Sequence, residues 1–186
     1  MKLVIIEGTD NSGKDTLINK LLERIPSVTL IHCSKPTSKK FASKEQDALF
    51  EIYARAIVEH RYDYTHMIIM NRSHIGEFVY GGLYRDRDYE EVEEMILNVD
   101  DLLLSRKDLE IKYVQLICDS NILLNKNEDG KSLSEGDLEK IKKEIDAFTY
   151  IFGASKLPKK LIYVNKGDEF RSRENIFEEV WKFINE

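Results

Sequence analysis

Near the amino terminus, Gly8-Thr9-Asp10-Asn11-Ser12-Gly13-Lys14 fits the spacing G-x-x-x-x-G-K. Glycines so placed let successive backbone N–H groups turn inward on a phosphate, the start of a following helix adds partial positive charge, and the lysine reaches the outer phosphate oxygens. The pattern has meaning only between a strand and a helix. Here the apolar run Leu3-Val4-Ile5-Ile6 precedes it, and Leu17, Leu21 and Leu22 share one helical face after it. The candidate phosphate-binding residues are therefore Gly8, Asn11, Ser12, Gly13, Lys14, Asp15 and Thr16. A Ser or Thr hydroxyl normally follows the lysine and ligates Mg²⁺, whereas this chain has Asp15. A carboxylate is also a hard oxygen ligand, and it also suits a helix N-terminus, so Asp15 is expected to serve the metal or the helix dipole.

These residues need a scaffold, and the hydrophobic pattern supplies one. Residues 2–7, 28–32, 66–70, 111–117 and 161–164 are rich in Val, Ile, Tyr and Leu and read as buried strands. Between them lie helical stripes: Leu49, Ile52, Tyr53, Ala56, Ile57 and His60; Val92, Met95, Ile96, Val99 and Leu103; Leu138, Ile141, Ile145, Phe148 and Phe152. A last stripe carries Ile176, Phe177, Val180, Trp181 and Ile184, and Ser134 followed by Asp137 suggests a capping box. Alternating strands and helices imply an α/β fold: a parallel five-stranded sheet with helices on both faces. Ligands of such sheets bind beyond the carboxyl ends of the strands. Residues 119–135 fit neither period and are polar, which predicts a short lid over the site.

Composition bounds the partners. The 186 residues make a single domain, and 28 basic against 34 acidic side chains leave a net charge of −6, which argues against a nucleic-acid-binding surface. Cys33 and Cys118 are too few for a disulfide framework, no run approaches the ~20 apolar residues of a membrane span, and the first apolar run stops at Glu7. A cytoplasmic protein is expected.

The segment Glu7–Thr16, taken with Asn71-Arg72-Ser73-His74-Ile75-Gly76-Glu77-Phe78-Val79-Tyr80 after the third strand, resembles the thymidylate kinase group of P-loop nucleotide kinases, whose motifs are EGxDGxGKST and DRYxxSxxAY. The resemblance covers the whole chain in length and element order. It implies a P-loop kinase fold and transfer of the γ-phosphate of ATP, with Mg²⁺, to a deoxynucleoside monophosphate, dTMP to dTDP first among them. Carried over by position, Arg72 grips the acceptor phosphate, as suits a bidentate guanidinium. Asp10 lies near the acceptor's 3′-hydroxyl, Tyr80 crowds the sugar 2′ position and Glu77 meets the base edge. The family also implies a homodimer and places the loop at Asn165–Gly167 beside the adenine, so that Asn165 and Gly167 join the ATP site.

The departures are specific. Asn71 stands where the motif has Asp, so Asp15 is expected to do the metal work with Asn71 facing the same ion. Asn11 and Ser12 are uncharged and no arginine lies between Arg106 and Arg171, which leaves Lys126 and Lys131 to balance phosphoryl charge in the lid. Phe50, Tyr53 and Arg55 are the candidates to frame the acceptor base, and Lys35 replaces the family's acceptor-loop arginine. Asn165-Lys166-Gly167-Asp168 also imitates the guanine signature of GTPases, but the only DxxG string lies inside the phosphate loop. Two rivals remain: a deoxynucleoside kinase, since Arg72-Ser73 resembles the ERS motif of that group, and a catalytically silent nucleotide-binding protein.

Overall fold

The computed structural model describes residues 1–33, 42–124 and 132–186. Its centre is a parallel five-stranded sheet in the order β2-β3-β1-β4-β5, formed by β1 (Lys2–Gly8), β2 (Val28–His32), β3 (Met67–Asn71), β4 (Glu110–Ile117) and β5 (Lys159–Tyr163). All five strands read from the hydrophobic pattern are present within a residue or two. β1 lies in the middle, and its side chains alternate between the two faces. Leu3 and Ile5 pack with α2 (Ala42–Val58), α3 (Ile75–Tyr84) and α4 (Tyr89–Ser105), whereas Val4 and Ile6 pack with α1 (Lys14–Arg24) and the carboxyl-terminal helix. A short α5 (Ser120–Leu124) and α6 (Leu138–Ala154) follow β4. A two-stranded hairpin, β6 (Asn165–Lys166) and β7 (Glu169–Phe170), precedes α7 (Arg173–Asn185). Among the described residues no helix is long and apolar enough to cross a membrane.

The strand order decides where chemistry can occur. Ile6 of β1 is in register with Asn71 of β3, so the phosphate loop and the loop after β3 emerge side by side, where chain direction across the sheet reverses.

Four expectations are corrected. Helix α3 had no stripe to announce it, because Ile75 through Gly81 are buried on every side and an all-round buried helix has no polar face. Ile52 was placed on the inner stripe of α2 but is 61% exposed, and Phe50, Ala54 and Ile57 take the inner positions. Residues 119–135 are not a uniformly polar lid: α5 buries Ile122 and Leu123, and Ser132 and Ser134 are buried and hydrogen-bonded to each other at 2.7 Å. Residues 125–131 of that segment, with Lys126 and Lys131, lie outside the described residues. Finally, α6 is capped by Asp137, whose carboxylate accepts from the Glu139 and Lys140 N–H groups, rather than by Ser134. Asp137→Ala is therefore expected to destabilise the fold by about 1 kcal/mol in urea denaturation, the usual cost of a lost N-cap.

Candidate active site

The phosphate loop is shaped by two glycines and one lysine. A Cβ on Gly8 would lie 2.7 Å from the Leu116 carbonyl oxygen of the neighbouring strand, so only glycine lets the loop leave the sheet there. Gly13 adopts φ +88 and caps α1 without a side chain, which keeps the first N–H groups of the helix open to an anion. Lys14 is buried, and its ammonium donates to the Gly8 and Thr9 carbonyl oxygens at 2.8 and 2.7 Å. Burial, and then the nearby Arg72 charge, lower its pKa to about 8.

Arg72 follows β3 with φ +63, a left-handed conformation that a non-glycine residue rarely adopts. Its guanidinium pairs with Asp10 and lies 4.6 Å from the centre of the Tyr80 ring. Arg72 Nη1 is buried without a hydrogen-bond partner among the described residues. Beneath both cations sits Glu7, fully buried at the end of β1. One of its oxygens accepts from Ser73 N at 2.6 Å, Ser73 Oγ at 2.9 Å and Gly76 N at 3.3 Å. Burial raises the Glu7 pKa against the pull of Arg72 and Ser73.

Asn71 and Asp15 meet: Asn71 Nδ2 donates to Asp15 Oδ1 at 2.8 Å. The contact leaves an amide oxygen and most of a carboxylate beside the phosphate loop, a hard-oxygen set that fits Mg²⁺, which takes few protein ligands and completes its shell from phosphates and water. Among the described residues no group of three or more His, Cys, Asp or Glu side chains could hold a metal by itself.

A cleft of about 800 Å³ joins these groups. Asp10, Asn11, Ser12, Gly13, Lys14, Asp15, Thr16, Asn71, Arg72, Glu77, Tyr80 and Phe50 all line it, so most sequence-derived site residues converge. Others do not. Arg55 is turned out to solvent, 59% exposed and paired with Glu51 at 2.7 Å, because it occupies the outer face of α2. Tyr53 packs against the core and does not line the cleft. Asn165 and Gly167 are not in the wall formed by the described residues; Asn165 instead ties the hairpin to the end of β4, bonding Asp119 Oδ2 at 2.6 Å and Gly167 O at 2.9 Å. The wall at that end comes from Val164, Phe170, Arg171, Arg173 and Ile176, which the sequence motifs did not single out. Lys35 lies outside the described residues.

Glu77 is held differently from expectation. Its carboxylate is paired with Arg85, and Arg87 Nη1 donates to its other oxygen at 3.1 Å. Arg87 in turn makes a two-pronged bond to Asp47 at 2.7 and 2.9 Å. Neither arginine was anticipated, since both lie past the end of α3 and only the turn after that helix folds them back. Arg85 also lines the cleft, and its Nε is buried without a partner among the described residues.

The fold is similar to those of solved nucleotide and nucleoside kinases. The chain resembles the YorR protein of Bacillus subtilis, solved in complex with phosphorylated GDP, with TM-score 0.69, 16% identity and coverage of 98% of this chain and 95% of that one. It also resembles thymidylate kinase from Ehrlichia chaffeensis, with TM-score 0.65, 15% identity and 97% of each chain covered. Deoxyadenosine kinase from M. mycoides, with bound dATP, matches with TM-score 0.61, 14% identity and 100% of both chains. At the level of sequence, neither a family model nor a curated protein matches the chain.

The lowered pKa of Lys14 has a direct consequence. The ammonium is the form that attracts phosphate, and in the ligand-free protein it is half lost by about pH 8 and fully present only well below it. A triphosphate bound there would stabilise that form and raise the pKa. ATP affinity should therefore fall as pH rises through about 8, by up to ~10-fold per unit, with proton uptake on binding in that range. Titration calorimetry in two buffers of different ionisation enthalpy measures both, and Lys14→Met should abolish the pH dependence along with most of the affinity.

Proposed function

We propose that the chain is an ATP-dependent, Mg²⁺-requiring kinase of deoxynucleoside monophosphates, with dTMP to dTDP as the leading reaction. One observation carries this reading over a nucleoside acceptor. Every carboxylate lining the cleft among the described residues is already engaged: Asp10 by Arg72, Asp15 by Asn71, Glu77 by Arg85 and Arg87. A 5′-hydroxyl needs a free base to become a nucleophile, whereas a phosphate oxygen is already one. Arg72, a partly exposed guanidinium whose Nη1 has no partner among the described residues, is suited to an anionic acceptor group.

In this reading the N–H groups around Gly13 and the Lys14 ammonium hold the donor β- and γ-phosphates, and Arg72 holds the acceptor phosphate across the cleft from them. When bound, Mg²⁺ neutralises charge developing on the transferred phosphoryl group. Asp15 would hold it with Asn71 Oδ1 beside it. Tyr80, stacked under Arg72, limits the room at the acceptor sugar and favours deoxyribose.

The test is ADP production with ATP and Mg²⁺ across all deoxynucleosides and their monophosphates. Turnover with a monophosphate supports the reading, turnover confined to nucleosides reverses it in favour of hydroxyl phosphorylation, and binding without turnover marks a silent nucleotide-binding protein. Arg72→Ala should raise the acceptor KM at least ~10-fold and depress kcat while leaving ATP affinity nearly constant, as expected when a charged contact to the acceptor alone is lost.

The Asp15–Asn71 contact gives a second test. Asp15→Ser should lose activity, Asn71→Asp alone should gain little because it sets two carboxylates against each other, and the double variant should recover much of the loss. Mg²⁺ titrations of all four proteins should show a coupling of roughly 0.5–3 kcal/mol, and strict additivity would separate the two positions.

A further inference from the structure

The segment that carries Arg72 is anchored by a second buried network, away from the phosphates. His74 Nε2 lies 2.8 Å from Asp100 Oδ1, and the two side chains are 1% and 0% exposed. The other Asp100 oxygen accepts from Ser155 Oγ and from Lys156 N, each at 2.8 Å. Asp100 on α4 therefore joins the start of α3 to the turn between α6 and β5. A fully buried carboxylate is expensive to desolvate, and apolar side chains in its place would be no less stable, so stability alone does not account for it.

The local geometry supplies an account. Arg72 holds a left-handed backbone conformation, which persists only where the surroundings over-determine it. On one side, Arg72 N bonds the Ile6 carbonyl oxygen at 3.2 Å, and Ser73 and Gly76 are held by Glu7. Those contacts tie the segment to β1. On the other side, toward α4, the side-chain tie among the described residues is His74, whereas Asn71 is tied to Asp15 at the start of α1. His74 occupies the N-cap position of α3, yet its side chain makes no capping bond; Ser73 Oγ accepts from Ile75 N at 3.2 Å instead, and His74 is spent on Asp100. Its ring also meets the edge of Phe50, a cleft-lining side chain, with centroids 6.4 Å apart.

We propose that His74, through Asp100, is a positioning residue for the acceptor half of the cleft: it fixes the strained backbone of Arg72 and the ring of Phe50, so that the guanidinium and the aromatic face are in place before the acceptor binds. The proposal rests on the reading of Arg72 as the group that meets the acceptor phosphate. It predicts a loss confined to one substrate, because the phosphate loop, Lys14 and the Asp15–Asn71 pair are tied to β1 and β3 by other contacts.

The experiment compares His74→Ala, His74→Phe and His74→Gln with the parent chain, using steady-state kinetics in both substrates and calorimetric binding of ATP and of dTMP. His74→Ala should raise the acceptor KM and Kd and lower kcat, each by about tenfold or more, while the Kd for ATP changes less than twofold. His74→Phe keeps an aromatic ring and drops the hydrogen bond; it should show the same acceptor-selective defect, and it carries the test if the alanine variant does not fold. His74→Gln retains a donor toward Asp100 and should recover most of the loss. Equal losses for donor and acceptor, no loss at all, or a glutamine variant as poor as phenylalanine would overturn the proposal while leaving the kinase reading intact. A parent chain that neither binds nor phosphorylates any monophosphate would overturn both.

Discussion

Two cations, the buried Lys14 and the half-buried Arg72, lie near each other at the carboxyl edge of the sheet, and much of the surrounding structure serves to hold both without an anion present. Each lowers the other's comfort with charge, and burial adds to the cost. The compensation is specific: two loop carbonyl oxygens on Lys14, the Asp10 carboxylate on Arg72, the Tyr80 ring beneath Arg72, and the buried Glu7 carboxylate near both. Incoming phosphate groups would replace part of this internal compensation with their own charge. In our reading of the function, a site arranged in this way needs little reorganisation when charge develops during phosphoryl transfer.

The same economy of charge explains how the carboxylates are used. Those that face the cleft among the described residues are held by amide or guanidinium donors, which fixes their orientation and keeps them from repelling phosphate at close range. The Asp15–Asn71 contact shows why the two departures from the familiar motif belong together. With one carboxylate and one amide in contact, the pair keeps a hard oxygen donor while avoiding two negative charges 2.8 Å apart. Farther along the cleft, Glu77 is the hub of an arginine pair rather than a free hydrogen-bond acceptor, and Arg85, which lines the cleft, keeps a buried Nε without a partner among the described residues.

Strain at Arg72 links this electrostatic design to the fold. The residue that meets the acceptor in our reading sits in a sparsely populated backbone region, and its neighbours are held from both sides, by Glu7 at β1 and by Asp100 at α4. Such over-determination keeps a guanidinium aimed at one place, which matters more for an in-line transfer than for binding alone.

The sequence by itself determined the strands, most of the helices, the phosphate loop and the place of Lys14 in it, because these depend on short-range spacing: a period of two or of 3.6, and glycines at fixed offsets within one loop. It also placed Asn71, Arg72, Glu77 and Tyr80 at the site, since the strand before them sets where they emerge. What only the tertiary structure decided are pairings between residues far apart in the chain: Arg87 with Asp47, His74 with Asp100, Asn71 with Asp15, and the Val164, Phe170 and Arg171 wall in place of Asn165 and Gly167. It also turned Arg55 outward, because the face that α2 buries is chosen by the shape of α4 and the sheet beneath it, and periodicity fixes that face only to within about one residue. Local pattern records what a segment prefers; which charges meet across the core depends on how the layers pack.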